Sequence, residues 1–250
     1  MMALVRALSA EILKLKRTLA LWLVIIAPLI VVCLRLIDWT QRGEFYLYPG
    51  VNPWVRLAQS IIVLWGMLML PLFVTLETAL LGGLEHAGKQ WKYLFALPVP
   101  RWAIYVAKLL VSAGMVGLST LVLWAGILLA GIGLQFFNRE LGFTGPIPWL
   151  WILGLTLLAY LASWLVLSIH TWISMRWHSF TLAIGVGIAA TFIGLLASST
   201  EVGRVYPWSL PMDVVFGEGE RLPLAVALGI IGGIVVGVVG CWDVTRRDVL

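Results

Sequence analysis

The chain has 250 residues, 61% of them hydrophobic and only 12% charged, with a mean hydropathy of +1.00. Apolar runs of about 20 residues recur, which is the length that crosses a bilayer, and in water they would leave far too much apolar surface uncovered. A soluble globular domain is excluded. The net charge of +5 needs no nucleic acid to explain it, because the basic residues fall where they would orient a membrane protein.

Residues 2–17 read as an amphipathic helix lying in the membrane interface. Leu4, Leu8, Ile12, Leu15 and Leu19 share one helical face, with Arg6, Lys14 and Arg17 opposite; a short disordered tail is the alternative. Six spans follow, near 18–37, 57–81, 103–134, 149–172, 180–197 and 222–241, giving an all-α polytopic membrane protein with a single transmembrane domain over 1–250. The first run follows Lys14-Leu15-Lys16-Arg17 as a signal peptide's would. It is too long for one, and Arg35, Asp38 and Trp39 follow it in place of a small-residue cleavage site, so it reads as a retained span. Residues 198–221 form a longer polar loop with Pro207, Pro211, Glu218 and Glu220, and with room for one or two short interfacial helices.

Charge sets the expected orientation. Arg6, Lys14, Lys16, Arg17, Lys89, Lys92, Arg101, Arg176, Arg246 and Arg247 fall on one side of the six spans. Only Arg42, Arg56, Arg139, Arg204 and Arg221 fall on the other. The positive-inside rule then puts both termini and the 82–102 segment in the cytoplasm.

Cys33 and Cys241 lie near span ends on opposite sides, too far apart for a disulfide, and read as small buried hydrophobes. Of fourteen tryptophans, Trp39, Trp54, Trp102, Trp149, Trp172, Trp177, Trp208 and Trp242 fall near span ends, as an aromatic belt at headgroup depth requires. Trp22, Trp65, Trp124 and Trp164 lie deeper, where packing or lining a cavity are both open. Gly229, Gly233 and Gly237 repeat every four residues in the last span and make a face for close helix approach, within the chain or between subunits. Ala183, Gly187, Ala190, Thr191 and Gly194 offer a similar surface in the fifth span.

Catalytic chemistry is poorly supported. Residues Gly83 to Lys89 match the phosphate-loop spacing G-x-x-x-x-G-K, but Gln90 stands where a Ser or Thr must hold magnesium, and an apolar span precedes it instead of a strand. The three histidines, His86, His170 and His178, have no carboxylate or cysteine at metal-ligand spacing. His170 and His178 flank a short turn where an interfacial or solvated place is expected. No nucleotide, metal or other cofactor is expected in this chain.

The segment 77–108 carries the chemistry that remains. Glu77 and Lys108 lie at matching depth near the ends of the second and third spans, where a charge must pair, meet water or snorkel. Pairings Glu77–Lys108 and Glu85–Arg101 are both possible, as is separate snorkelling of each charge. Between them, Gly88 to Leu94 reads as a short amphipathic helix with Trp91, Tyr93 and Leu94, ended by Leu97-Pro98-Val99-Pro100. Such a helix outside the bilayer suits a groove on a partner protein.

This arrangement resembles the second cytoplasmic segment of ABC-2 type permeases: Glu85, Lys89 and Trp91, then Leu97-Pro98-x-Pro100-Arg101, then Lys108. The N-terminal Glu11-x-x-Lys14-x-x-Arg17 helix and the six-span layout are similar to theirs. Tyr206-Pro207-Trp208-Ser209-Leu210-Pro211 is similar to the peptide-antibiotic immunity and bacitracin-resistance branch. The resemblance implies a permease of the bacterial cytoplasmic membrane with no nucleotide site of its own. It implies two copies of an ABC ATPase as partner, a second copy or paralogue of the permease, and surrounding membrane lipids. Glu85, Lys89, Trp91, Tyr93, Leu94, Leu97 and Arg101 would form a coupling helix seated on the ATPase. The last outer loop would dip back into the membrane.

Few charges and many aromatic and small residues suit a lipid or an amphipathic peptide as substrate, and no charged ring suggests an ion channel. A membrane scaffold or assembly factor, and an intramembrane enzyme, are the competing functions.

Overall fold

A computed structural model describes residues 2–16, 18–47, 50–87, 100–177, 179–216 and 221–246. The protein is an all-helical, multi-pass membrane protein. Among the described residues, six helices are long and apolar enough to cross a bilayer: Leu19–Tyr46, Pro53–Gly83, Arg101–Phe137, Trp149–Arg176, Phe180–Ala197 and Arg221–Arg246, here spans 1 to 6. A separate N-terminal helix, Met2–Leu15, precedes them.

Span 5 keeps the bounds that hydropathy gives, and the other five extend beyond theirs. Apolar runs mark the stretch in hydrocarbon, whereas a helix continues past it until something stops it. Span 3, at 37 residues, is about 55 Å long at 1.5 Å per residue, against a hydrocarbon core of about 30 Å. Span 1 runs on through Arg35 and Asp38, which pair at 3.2 Å along the helix. Arg35 Nε also donates to the Ser60 carbonyl (3.1 Å), and the Tyr46 hydroxyl donates to Asp38 (2.6 Å). Span 2 starts where Asn52 Oδ1 accepts from the Trp54 N–H (2.9 Å), with Pro53 as its first residue.

Two spans carry irregular turns. Pro71 has no N–H to give the carbonyl four residues back, and span 2 widens into a π turn at Trp65–Met69. Span 6 has a second π turn at Leu228–Gly232. Span 4 is interrupted at Ser163, between Trp149–Ala162 and Trp164–Arg176.

Sidedness follows helical periodicity. Ala20, Val24, Ala27 and Val31 of span 1 turn inward, while Leu21, Trp22, Ile25, Ile26, Leu29 and Ile30 are exposed, as lipid-facing side chains must be. Trp22 is therefore neither core nor cavity lining. Cys33 is likewise exposed on span 1, which corrects its assignment as a buried hydrophobe; Cys241 is half-buried, and both thiols are free.

The tryptophans divide differently from the expected belt. Trp102, Trp149, Trp177 and Trp242 are exposed, but Trp39 and Trp54 are completely buried and Trp208 nearly so. Phe143, from the connection between spans 3 and 4, meets Trp39 (centroids 5.8 Å apart) and Trp54 (5.3 Å) edge-on. Trp39 Nε1 donates to Ser60 Oγ (3.1 Å), and Gly131 leaves the space that the Trp54 ring fills. These rings form an aromatic plug tying spans 1, 2 and 3 at the end away from the N-terminal helix. Proximity to a span end cannot distinguish such a plug from a headgroup anchor.

Residues 208–214 of the last loop are buried against the bundle, in the stretch where short interfacial helices were expected. A 3₁₀ turn at Val202–Val205 leads to a short helix, Leu210–Phe216, whose Leu210, Pro211, Met212, Asp213 and Val214 are all buried. This helix packs on the first half of span 4 and on span 2 at its π turn. A Cβ on Gly66 would meet the Pro211 backbone at 3.0 Å, so only glycine lets the loop sit this close. The Tyr206 hydroxyl donates to the Ala190 carbonyl (3.0 Å), and Gly194 receives Trp208.

Candidate functional site

The N-terminal helix is pinned to the base of the bundle by a buried ion pair. Its inward face carries Ala7, Glu11 and Leu15, and Ala7 packs against Ala103 and Ala107 of span 3. Three alanines bring the two backbones close enough for a short carboxylate to reach across. Glu11 is 3% exposed and Lys108 is 2% exposed. Lys108 Nζ donates to Glu11 Oε2 (2.9 Å) and to the Leu81 carbonyl of span 2 (3.1 Å), while Lys14 Nζ donates to Glu11 Oε1 (2.6 Å). Burial alone would raise the Glu11 carboxyl's pKa. Lys108 and Lys14 outweigh that and hold it below the ordinary glutamate value. One lysine therefore ties together the N-terminal helix, span 2 and span 3.

This corrects two expectations. Lys108 pairs with Glu11 and not with Glu77. The apolar face of the N-terminal helix is also rotated by about one residue, so Ile12 is exposed and Glu11 occupies the buried position. The sequence did hold a signal: Ala7, Glu11 and Leu15 are spaced by four, opposite the small residues Ala103 and Ala107.

Glu77 lies one turn further into span 2 than Leu81 and is completely buried. Neither carboxyl oxygen has a partner of hydrogen-bonding distance and angle among the described residues, although the Ser112 side chain lies beside it. Nearby, Thr75 Oγ1 and His170 Nε2 are 3.3 Å apart, and the His170 ring meets Trp208 edge-on at 5.6 Å. Thr75 also fills the space left by Gly187 of span 5. His170 is thus fully enclosed, not interfacial or solvated. His178 lies outside the described residues.

Span 6 is fastened at the same end of the molecule. Asp243 accepts from Trp172 Nε1 of span 4 (3.0 Å) and pairs with Arg176 at 3.6 Å. Gly229 faces the backbone of Leu161 and Ala162, Gly233 faces Trp164, and Gly237 faces Leu109, so the glycine stripe lies against spans 4 and 3 of its own chain.

The residues expected to meet a partner are placed only in part. Arg101 opens span 3 and is half-buried. The side chain of Glu85, and Lys89, Trp91, Tyr93, Leu94 and Leu97, lie outside the described residues. Glu85 belongs to the last turn of the helix Leu70–Ala87, and that helix end and the start of span 3 at Arg101 both lie at the end of the bundle where Glu11 meets Lys108. No group of three or more metal-ligating side chains occurs among the described residues.

A family profile described as ABC-2 family transporter protein matches residues 7–194. The chain belongs to the ABC-2 transporter family. That stretch takes in most of the N-terminal helix and spans 1 to 5, including both partners of the Glu11–Lys108 pair. The permease's last loop and span 6 lie beyond the matched residues. No curated protein and no solved structure matches the chain. Membership makes this the membrane component of a transporter, in a family whose permeases associate with an ABC ATPase.

Proposed function

We propose that this permease is the membrane-spanning subunit of an ABC transporter, and that it couples ATP hydrolysis by a separate ATPase to export or membrane extraction of an amphipathic substrate, a lipid or peptide. The 82–102 segment acts as the coupling element, with Trp91, Tyr93, Leu94 and Leu97 seated on the ATPase and Glu85, Lys89 and Arg101 around them. Both termini and this segment face the cytoplasm of a bacterial cell, in keeping with the ten-to-five bias of basic residues. Two permeases, identical or related, pair over two ATPase subunits.

One observation supports this above the others: Lys108 joins the N-terminal helix to spans 2 and 3 where the 82–102 segment enters and leaves them. A push on that segment reaches both spans at a shared buried contact, which gives the ATPase a short route into the bundle. A scaffold has no need of such a junction.

The test is the Trp91→Ala/Leu94→Ala permease, purified with its ATPase and reconstituted in lipid. It should bind the ATPase at least tenfold more weakly, since two buried anchors each contribute on the order of 1–2 kcal/mol. Its unfolding temperature should stay unchanged. Full binding and wild-type coupled ATPase activity in that variant would refute the assignment.

A further inference from the structure

Spans 3 and 6 touch where Leu109 meets Gly237, and a groove of about 670 Å³ lies alongside that contact. Trp102 and Leu110 wall one side, Val238 and Trp242 the other, and Trp164 of span 4 helps to line it. Its lining runs from Trp102 to Ala113 on span 3 and from Gly233 to Thr245 on span 6, and contains no charged side chain. At 1.5 Å per residue each wall is about 17–18 Å long, slightly more than half the hydrocarbon thickness of about 30 Å. The groove is therefore long enough to reach from a membrane surface to the middle of the bilayer. It opens sideways, because Trp102, Leu110, Ile234, Val238 and Trp242 are all exposed.

Its two ends differ. Toward the bilayer centre lie Ala113, Trp164 and Gly233. At the water end, Trp102 and Trp242 stand at the depth tryptophan favours, and the Arg246 guanidinium lies 4.3 Å over the Trp242 ring. The neighbouring acid, Asp243, is engaged by Trp172 and Arg176. The mouth thus presents a positive charge above an apolar slot one leaflet deep.

We propose that this groove binds an anionic glycerophospholipid of the leaflet on the N-terminal-helix side, one acyl chain lying between spans 3 and 6 and the phosphate resting on Arg246. The length, the apolar walls and the placement of a cation at the water end alone match the three parts of such a lipid.

The experiment uses the full-length permease in nanodiscs of equimolar phosphatidylglycerol and phosphatidylcholine, followed by native mass spectrometry of the released protein. Wild type should retain one phosphatidylglycerol per chain, favoured about fivefold over phosphatidylcholine, the worth of one basic residue at an anionic surface. Arg246→Gln should keep a bound lipid but lose the preference. Val238→Trp and Leu110→Trp, which fill the slot from its exposed side, should lose the lipid while unfolding at the wild-type temperature. Equal retention of both lipids by wild type, or undiminished retention in both filled variants, would overturn the proposal. So would efficient disulfide trapping between copies through Val238→Cys in a Cys33→Ala/Cys241→Ala background, because a second permease would then cover the groove.

Discussion

Replacing Glu11 by methionine removes the carboxylate between two lysines and leaves the Lys108 ammonium buried beside the Leu81 carbonyl. Deleting one partner of a buried ion pair costs about 3–5 kcal/mol. Lys14, whose side chain is 28% exposed, keeps the Glu11 side of the cluster near water, so the lower figure of about 3 kcal/mol applies. For a chain of this size that lowers the unfolding midpoint by about 6–12 °C. Glu11→Met/Lys108→Met should recover most of the loss, because apolar side chains of similar volume replace buried pairs at little cost. The measurement is a double-mutant cycle on thermal unfolding of the reconstituted permease. The coupling should also depend on pH in one direction. The Glu11 carboxyl is held below its ordinary value of 4.5, so its contribution is complete above that pH and disappears as pH falls through the folded-state value. A double variant no more stable than Glu11→Met, or a coupling unchanged by acid, would refute the reasoning.

Two further outcomes follow from the last loop. Gly66→Val should push the Pro211 backbone away and cost about 1–3 kcal/mol, the usual penalty for overpacking, with protease cleavage within 198–216 rising in parallel; an uncleaved, fully stable variant would show that the loop is not held there. Burial pushes Asp213 up to about 6 from an ordinary 3.8, against the pull of Arg221 and Arg204. The folded state keeps its proton while the unfolded chain has lost it, so wild-type stability should fall as pH rises from about 4 to about 6. The advantage of Asp213→Asn should grow over that window and level off above it, and an advantage independent of pH would count against the buried carboxyl.

Six spans were legible because hydrocarbon permits so few alternatives: each stretch must be apolar over a fixed length and satisfy its own backbone. The orientation of faces was harder. The N-terminal helix has large apolar residues on more than one side, and only the alanines of span 3 decide that Glu11 and not Ile12 turns inward. The same limit applied to Trp39, Trp54 and Trp208. A tryptophan near a span end fits either a headgroup or a neighbouring helix, and partners such as Phe143, Ser60 and Gly131 come from distant parts of the chain. His170 was expected near water because it and His178 flank what reads as a short turn, yet the stretch to Arg176 is helix, and its five intervening residues set His170 back against Thr75 and Trp208. Lys108 was recognised as significant from its depth, while its partner lay 97 residues earlier.

The two ends of the bundle are held by different kinds of force. At one end Trp39, Trp54 and Phe143 interlock through ring contacts, with the Arg35–Asp38 pair beside them. At the other, Glu11 accepts from two lysines, and Asp243 accepts from a tryptophan N–H and pairs with an arginine. Loss of the Glu11 carboxylate should therefore loosen the N-terminal helix and leave the ring cluster at the far end packed.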